Sequence, residues 1–355
     1  MLSKTISVEN SSSSGPLVSV VIPAFAAAAY IRQTLDSVFA QKYPRFEVIV
    51  VNDGSPDTEQ LEAAIAGYGN RVVYLKQENR GPSAARNAGI LQAQGEFIAF
   101  LDSDDLWFDS YLQRQVEALQ EGPGYDFVYS DALLLRDDAP SGQTFMQRSP
   151  SRGPVTFDSL LALECVVISS GTVVRRDAIV NAGLFDERFW HCEDFDLWLR
   201  IAFGGARMRY QQQVLAHHRL RTGSLSASAQ AMRDGRRRVY EKVLATLPLS
   251  DSQCSVTTKM LRLWTARIEL EKGKQLLLDR EYAQARSRLQ AANEYFRSRK
   301  IGAVIALLGI APAPARRLYQ TYLQALRSRN RKLNRNSLSS VADHADIPSP
   351  DVRNL

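Results

Sequence analysis

Asp102, Asp104 and Asp105 put three carboxylates within four residues, in the run Leu101-Asp102-Ser103-Asp104-Asp105. They end the apolar stretch Phe97 to Leu101, which is short, β-rich and stops abruptly at charge, the pattern of a buried strand. Carboxylates this close repel one another unless a cation sits among them. Oxygen-only donors suit a hard divalent ion, Mg2+ or Mn2+, with substrate phosphates completing its shell. The competing reading of an isolated Asp-x-Asp is a solvated acidic turn. A second acidic pair, Glu193-Asp194, stands at the start of a helical pattern. There the positive end of the helix dipole keeps a carboxylate ionised and able to act as a base, or simply caps the helix.

The elements that must position these groups are legible upstream. Val18 to Ile22 reads as a strand stopped by Pro23, and Phe46 to Val51 as a second buried strand running into Asn52-Asp53-Gly54-Ser55. Val72 to Lys76 is a third strand, and helices are expected over 26–41, from Leu61 and over 83–94. Strand and helix alternating at this rhythm predict a mostly parallel, doubly wound α/β sheet with right-handed crossovers. Such sheets bind ligands at the carboxyl ends of their strands. Three of those ends carry Pro23-Ala24-Phe25, Asp53-Gly54-Ser55 and Asp102-Ser103-Asp104. Downstream, Val128 to Leu135 and Ser170 to Arg175 read as strands, 137–152 as a long polar loop, and Asp194 to Phe203 as a mostly buried helix.

The composition bounds the rest. The chain has 355 residues, 45% of them hydrophobic, and three scattered cysteines without Cys-x-x-Cys spacing, which argues against a disulfide framework or zinc site. A reducing cytosol is the default compartment, no signal-peptide pattern opens the chain, and no apolar run approaches the ~18 residues of a membrane span. The net charge of +6 is unevenly placed, because residues 256–335 hold 18 Lys and Arg against 5 Asp and Glu. The expected organisation is a flexible leader over 1–16, an α/β domain over 17–235, a basic all-helical extension over 236–336 and a disordered tail over 337–355. Within the extension, 267–296 has the pattern of one helical hairpin. Apolar helix beside clustered cation suits an anionic membrane surface as well as a packed cap with a solvated basic edge. Nucleic acid is not the expected partner, since aromatics are not interleaved with the charge.

The motifs together resemble the family 2 glycosyltransferases of GT-A fold, over roughly residues 17–228. The matching blocks are VSVVIPAF at 18–25, LDSVFAQKYPRFEVIVVNDGSPD at 35–57, NRGPSAARNAGI at 79–90, GEFIAFLDSDD at 95–105, NAGLFDERF at 181–189, EDFDLWLRIA at 193–202 and HRLRTGSLS at 218–226. The resemblance implies transfer of one sugar, with inversion, from a nucleoside diphosphate donor to a carbohydrate or lipid-linked acceptor. It implies that Pro23 and Phe25 flank the base, that Asp53 accepts from the base N3–H of a uracil, and that Gly81 supplies a turn with positive φ. Arg80 or Arg86 approaches the diphosphate, with a surface position the alternative for Arg86. Asp102 contacts the ribose, Asp104 ligates the metal, Asp194 is the base and Glu193 orients the acceptor. Trp190 and Trp198 have the ring area to stack on a sugar, with Trp198 also at a core spacing.

Three positions depart from the family pattern. Ala26 stands where Asn is frequent, Asn52 where a second Asp is frequent, and Arg221 where a His would serve as a further metal ligand. Arginine cannot ligate a metal, so Arg221 is expected to contact the diphosphate. The absence of a QxxRW block favours single-sugar transfer over processive synthesis. Two rivals remain at this stage: a sugar nucleotidyltransferase, for which Pro23 to Ala29 lacks the Gly-rich and Lys signature, and a catalytically silent carbohydrate- or membrane-binding scaffold.

Overall fold

Runs of Val, Ile and Phe build the centre of a nine-stranded sheet. The computed structural model describes residues 15–122, 124–136, 139–221 and 223–336, with side chains through Gln324. Strand β1 (Val18–Ala24) is followed by helix α1 (Ile31–Phe39), β2 (Phe46–Asp53), α2 (Thr58–Ala66), β3 (Val72–Gln77), α3 (Pro82–Gln92) and β4 (Phe97–Phe100). These four strands are parallel in the order β3-β2-β1-β4. Alternation divides their side chains between two cores: Val21, Ile49, Val51, Ile98 and Phe100 on one face, and Val20, Ile22, Val48, Val50, Phe97 and Ala99 on the other. A sheet buried on both faces explains why the strands read as continuous apolar runs. Helix α3 lies tight on β1, because a Cβ at Gly89 would fall 2.5 Å from Val21 Cγ1.

Beyond β4 the chain forms β5 (Leu106–Trp107), α4 (Tyr111–Gln120), β6 (Phe127–Arg136), β7 (Ala139–Thr144), α5 (Phe145–Arg148), α6 (Phe157–Leu161), β8 (Thr172–Arg175), α7 (Arg176–Asn181), α8 (Glu193–Phe203) and β9 (Met208–Leu220). The sheet continues from β4 through β8, β6, β9 and β5, with β7 paired to β6. Strand β8 is antiparallel to both β4 and β6, so the mixed half of the sheet is stitched to the parallel half beside the acidic turn. The chain thus is an α/β fold followed by helices, as the sequence predicts, with antiparallel pairings added to the parallel half of its sheet.

The differences in detail have local causes. The first helix begins at Ile31 rather than at 26, because Ala26 takes φ +49° and the Ala27 carbonyl instead accepts from both Tyr30 and Ile31 N–H. The polar loop expected over 137–152 contains β7 and α5; Thr144 and Gln147 close a capping box at the start of α5. Of the expected leader and tail, residues 1–14 and 337–355 lie outside the described residues, while the Gly15 and Pro16 carbonyls accept from Arg45 Nη1 and Tyr43 OH.

Helices α9 (Ala229–Thr246), α10 (Asp251–Leu278), α11 (Tyr282–Phe296), α12 (Arg299–Ile310) and α13 (Pro312–Asn336) complete the chain. Position 235/236 falls inside α9, and Val239, Tyr240, Val243, Met260 and Trp264 join the core of the α/β part. A separate cluster around Leu277, Leu289 and Leu308 holds α10 to α13 together. Helix α9 is also pinned electrostatically. Lys242 Nζ reaches Asp186 and Asp196 at 2.8 Å each, and Arg200 Nη2 reaches Asp196 at 2.7 Å. Asp196 is 1% exposed, so removing it takes the one carboxylate shared by Arg200 and Lys242 out of a buried network and leaves Lys242 only Asp186. Asp196→Ala is expected to lower the unfolding free energy by about 3–5 kcal/mol in urea titration of the full chain. A loss below about 1 kcal/mol would mean the network behaves as a surface pair.

Candidate active site

The carboxyl ends of β1, β2 and β4 converge on one cleft of about 500 Å3 whose walls include Pro23, Phe25, Asp53, Gly81, Asp102, Asp104, Glu193 and Asp194. The turns are tied to one another by polar contacts rather than by apolar packing. Ala26 N–H donates to Ser55 Oγ at 2.7 Å and Ala28 N–H to Asp57 Oδ2 at 2.9 Å, which supplies the hold that a side chain at position 26 does not. Asn52 accepts from Ser55 N–H at 2.8 Å, an Asx turn that shapes the end of β2. Phe25 is 45% exposed at the mouth, an apolar ring left in water beside Pro23.

Asp53 does not cap α2. Its Oδ1 accepts from Gln77 Nε2 (2.8 Å) and Arg80 N–H (2.9 Å), and its Oδ2 from Gly81 N–H (2.8 Å). The carboxylate therefore fixes the turn into α3. Gly81 takes φ +88° there, and a Cβ on it would meet the Trp190 ring at 3.0 Å. Both Trp190 and Trp198 border the cleft, but Trp190 is 43% exposed, whereas Trp198 is 2% exposed and packs edge-on against Phe127 and Phe185. Of the two tryptophans, Trp190 presents an exposed ring at the cleft, and Trp198 is core.

Asp105, the third carboxylate of the cluster, is the hub of the turn. It is fully buried, and its oxygens accept from Ser170 Oγ (2.5 Å) and Arg219 N–H (2.8 Å) and lie 3.0 Å from His218 Nδ1. Burial alone would lower the His218 pKa, but Asp105, with Asp104 and Asp102 behind it, raises it to about 9. His218 is thus a cation locked to the turn. Asp104 is lifted to about 6, first by burial and then by Asp105, with Arg221 opposing. Arg221 Nε is bonded to Asp104 Oδ2, and the guanidinium lies over Tyr30. The acidic turn is therefore neutralised by arginine and histidine from β9 and the residues after it. Strand β9 gave no alternation signal: Tyr210 to Gln213 are polar or half-exposed, so its role was not legible in the sequence.

Arg86 is neither on the surface nor free for a diphosphate. It is 5% exposed, donating from Nη2 to Asp102 Oδ1 at 2.8 Å and from Nη1 to Glu193 Oε1 at 2.6 Å. Burial opposes its charge, yet Asp102 and Glu193 outweigh burial and raise its pKa. Glu193 is itself pushed up to about 7, mainly by burial, against the pull of Arg86. Asp194 is held differently: Ser169 Oγ donates to Oδ2 and Phe195 N–H to Oδ1, both at 2.7 Å. Arg80 lies outside the cleft wall, its Nη2 at 2.5 Å from Glu187 Oε2. Neither arginine thus takes the diphosphate-facing position expected of the pair.

Among the described residues no three His, Cys, Asp or Glu side chains gather into a ready-made metal site. What the cleft offers is Asp104 Oδ1 and Asp102 Oδ2, two carboxylate oxygens without a protein hydrogen bond among the described residues. Mg2+ and Mn2+ are commonly held by one or two carboxylates with substrate phosphates completing the shell, so this donor set fits.

A family model described as Glycosyl transferase family 2 matches residues 19–180. TuaG of Bacillus subtilis strain 168, a glycosyltransferase assigned provisionally to teichuronic acid biosynthesis, is 33% identical over 217 residues, 60% of this chain and 82% of that protein. The chain belongs to glycosyltransferase family 2. The chain is also 28% identical to the Escherichia coli UDP-Glc:alpha-D-GlcNAc-diphosphoundecaprenol beta-1,3-glucosyltransferase WfaP, over 60% of its own length and 80% of WfaP. It spans 58% of the length of the Rickettsia typhi glycosyltransferase RT0329, at 33% identity over 52% of its own. Among solved structures, S. aureus TarS 1-349 in complex with UDP-GlcNAc superposes with a TM-score of 0.58 at 19% identity, over 87% of this chain and 92% of that one. Mannosyltransferase PcManGT from Pyrobaculum calidifontis, in complex with GDP-Man and Mn2+, gives 0.57 at 20% identity, over 89% and 87%. These likenesses establish the GT-A fold.

Arg86→Lys tests the bridge, since one ammonium cannot span two carboxylates in forked geometry. The variant is expected to fold and to lose at least about tenfold in kcat, and Arg86→Met to be destabilised by about 3–5 kcal/mol. Wild-type turnover and thermal stability in both variants would remove the bridge from the site.

Proposed function

We propose that this glycosyltransferase moves a single sugar from a UDP-linked donor to an acceptor hydroxyl, with inversion at the anomeric carbon, in polysaccharide or glycolipid biosynthesis. The observation that carries the reading is the pairing, across one cleft, of the Asp102/Asp104 turn with an oriented Asp194. The names of TuaG and WfaP support the pathway class, and that of WfaP supports a lipid-linked acceptor.

On this reading the uracil lies against Phe25 and Pro23 with its N3–H toward Asp53, whose carboxylate already accepts three hydrogen bonds and retains lone pairs. Asp102 meets the ribose, and Asp102 and Asp104 hold the divalent ion. Mn2+ or Mg2+ held there would supply positive charge to the departing diphosphate. Arg221, already on Asp104, adds a second cation at the same place. Asp194 takes the proton of the attacking hydroxyl. Ser169 and the Phe195 N–H fix its oxygens at the start of α8. Glu193, buried and bonded to Arg86, positions rather than reacts.

The helical extension gives the enzyme a membrane-facing side on this proposal. Residues 282–324 carry seven Lys and Arg against one acid, Glu294. Beside them Ile310, Leu318 and Tyr322 are 86%, 63% and 58% exposed. Among the described residues no helix is long and apolar enough to cross a membrane. Exposed apolar side chains framed by cations suit the surface of an anionic bilayer, where each basic residue contributes about 1 kcal/mol.

Three outcomes test these assignments. Calorimetry with UDP and Mn2+ is expected to show metal-dependent binding that Asp104→Ala abolishes. Asp194→Asn is expected to keep UDP affinity and lose about 10^2–10^4 in kcat, in an assay with UDP-, GDP- and dTDP-sugar donors. Wild-type turnover in both variants would overturn the site. The chain is expected to sediment with phosphatidylglycerol-containing vesicles but not with pure phosphatidylcholine, and the double variant Ile310→Asp, Leu318→Asp to stay in the supernatant. Loss of a dimer in light scattering, without vesicle binding, would instead make this face a contact between copies.

A further inference from the structure

Each carboxylate of the acidic turn already touches a cation. Asp102 Oδ1 accepts from Arg86 Nη2 at 2.8 Å, Asp105 Oδ2 lies 3.0 Å from His218 Nδ1, and Asp104 Oδ2 is bonded to Arg221 Nε. The turn thus has oxygens to offer a divalent ion, but their negative charge is already matched. An ion entering between Asp102 and Asp104 would stand beside a guanidinium, and cations a few ångströms apart repel strongly where water is partly excluded. Either one of the three protein cations changes partner or further negative charge arrives with the metal.

The three are not held alike. Arg86 is buried and bonded at its other nitrogen to Glu193 at 2.6 Å, so moving it would break the bridge between the two walls. His218 stands inside β9, in register with Leu134 of β6, and its partner Asp105 is fully buried. Arg219, the next residue, is tied by Nη2 to Gln33 (2.9 Å) and by Nε to the Asp104 carbonyl (2.8 Å). Arg221 lies just past the last paired residue of β9, Leu220, and is half-buried on the cleft wall beside Ala26. Besides Asp104 it meets the Ala26 carbonyl, to which Nη1 donates at 3.3 Å, and the Tyr30 ring, whose centroid is 5.0 Å from the guanidinium carbon. A neutral carbonyl and a ring face steady a guanidinium without supplying a second carboxylate. Arg221 is therefore the cation placed to change partner.

We propose that Arg221 is an exchangeable counter-ion: it holds Asp104 while the cleft is free of donor, and moves onto the phosphates of a nucleoside diphosphate when one binds, leaving Asp104 to the divalent ion. This rests on the reading of Asp102 and Asp104 as the donor-side residues given above. The guanidinium fork fits phosphate oxygens as well as a carboxylate, so Arg221 keeps an anionic partner throughout, and the diphosphate brings the negative charge that two neighbouring cations need. A histidine at this position would be a further ligand; the arginine makes it a competitor for the metal's place. Metal and nucleotide then each tighten the binding of the other, by the same factor in both directions.

The test is binding rather than turnover. Mn2+ alone is titrated into the full chain, its free concentration followed by electron paramagnetic resonance, and the titration is repeated with saturating UDP. In the wild type UDP is expected to tighten Mn2+ at least about fivefold. Arg221→Ala is expected to bind Mn2+ alone at least about fivefold more tightly than wild type, to bind UDP more weakly, and to show a smaller effect of UDP on Mn2+. Arg221→Gln, closer in size but uncharged, is expected to behave in the same way. A misfolded variant would lose affinity for both ligands, so opposite changes are the signature of exchange. Unchanged or weaker binding of Mn2+ alone in both variants would overturn the proposal, and so would unchanged affinity for UDP. A wild type that binds no UDP at all would strike the donor-side reading itself, whereas UDP binding with Mn2+ affinity indifferent to position 221 would strike the exchange alone.

Discussion

A single buried guanidinium joins the two chemical halves of this cleft. Arg86 sits on α3 and reaches the metal-side turn after β4 through Asp102 and the start of α8 through Glu193. Those carboxylates come from elements 91 residues apart in the chain. Without a cation between them the cleft would carry five acidic side chains on facing walls. Because an arginine has a fixed fork and keeps its proton under burial, it sets both the charge balance and the distance between donor and acceptor sides.

The neutralising pattern has a direction. Asp105 is consumed in structure, bonded to Ser170, Arg219 and His218, and so turns the acidic cluster into a rigid platform. Among the described residues Asp104 and Asp102 each keep one oxygen outside the protein hydrogen bonds, and Asp194 is oriented by a serine and a helix N–H rather than by a cation. Glu193 is committed to the Arg86 ion pair, whereas Asp194 is held by neutral donors alone. This difference separates Glu193 from its neighbour Asp194 more clearly than their adjacency in sequence does.

The parallel half of the fold was readable because both faces of its strands are buried, which makes β1, β2 and β4 uninterrupted apolar runs ending at polar turns. The mixed half was harder. Strand β9 carries Arg209, Gln211 and Gln212, and β7 runs Ala-Pro-Ser-Gly-Gln-Thr, so neither offers a period of two. The acidic positions at the cleft were legible from residue type and block order. What sequence could not supply was partnership: the same motif that suggests Arg86 or Arg80 for a diphosphate leaves open that one is a buried strut and the other a surface partner of Glu187. Arg221 was legible as a departure at a ligand position, but its bond to Asp104, 117 residues away, is made only by the fold.

The most direct measurement is a crystal structure of the full chain with UDP and Mn2+. The account predicts the uracil against Phe25 with its N3–H on Asp53, the diphosphate and metal at Asp102 and Asp104, and Asp194 open on the opposite wall. A nucleotide bound outside this cleft, or bound here with its diphosphate turned away from Asp104, would contradict it.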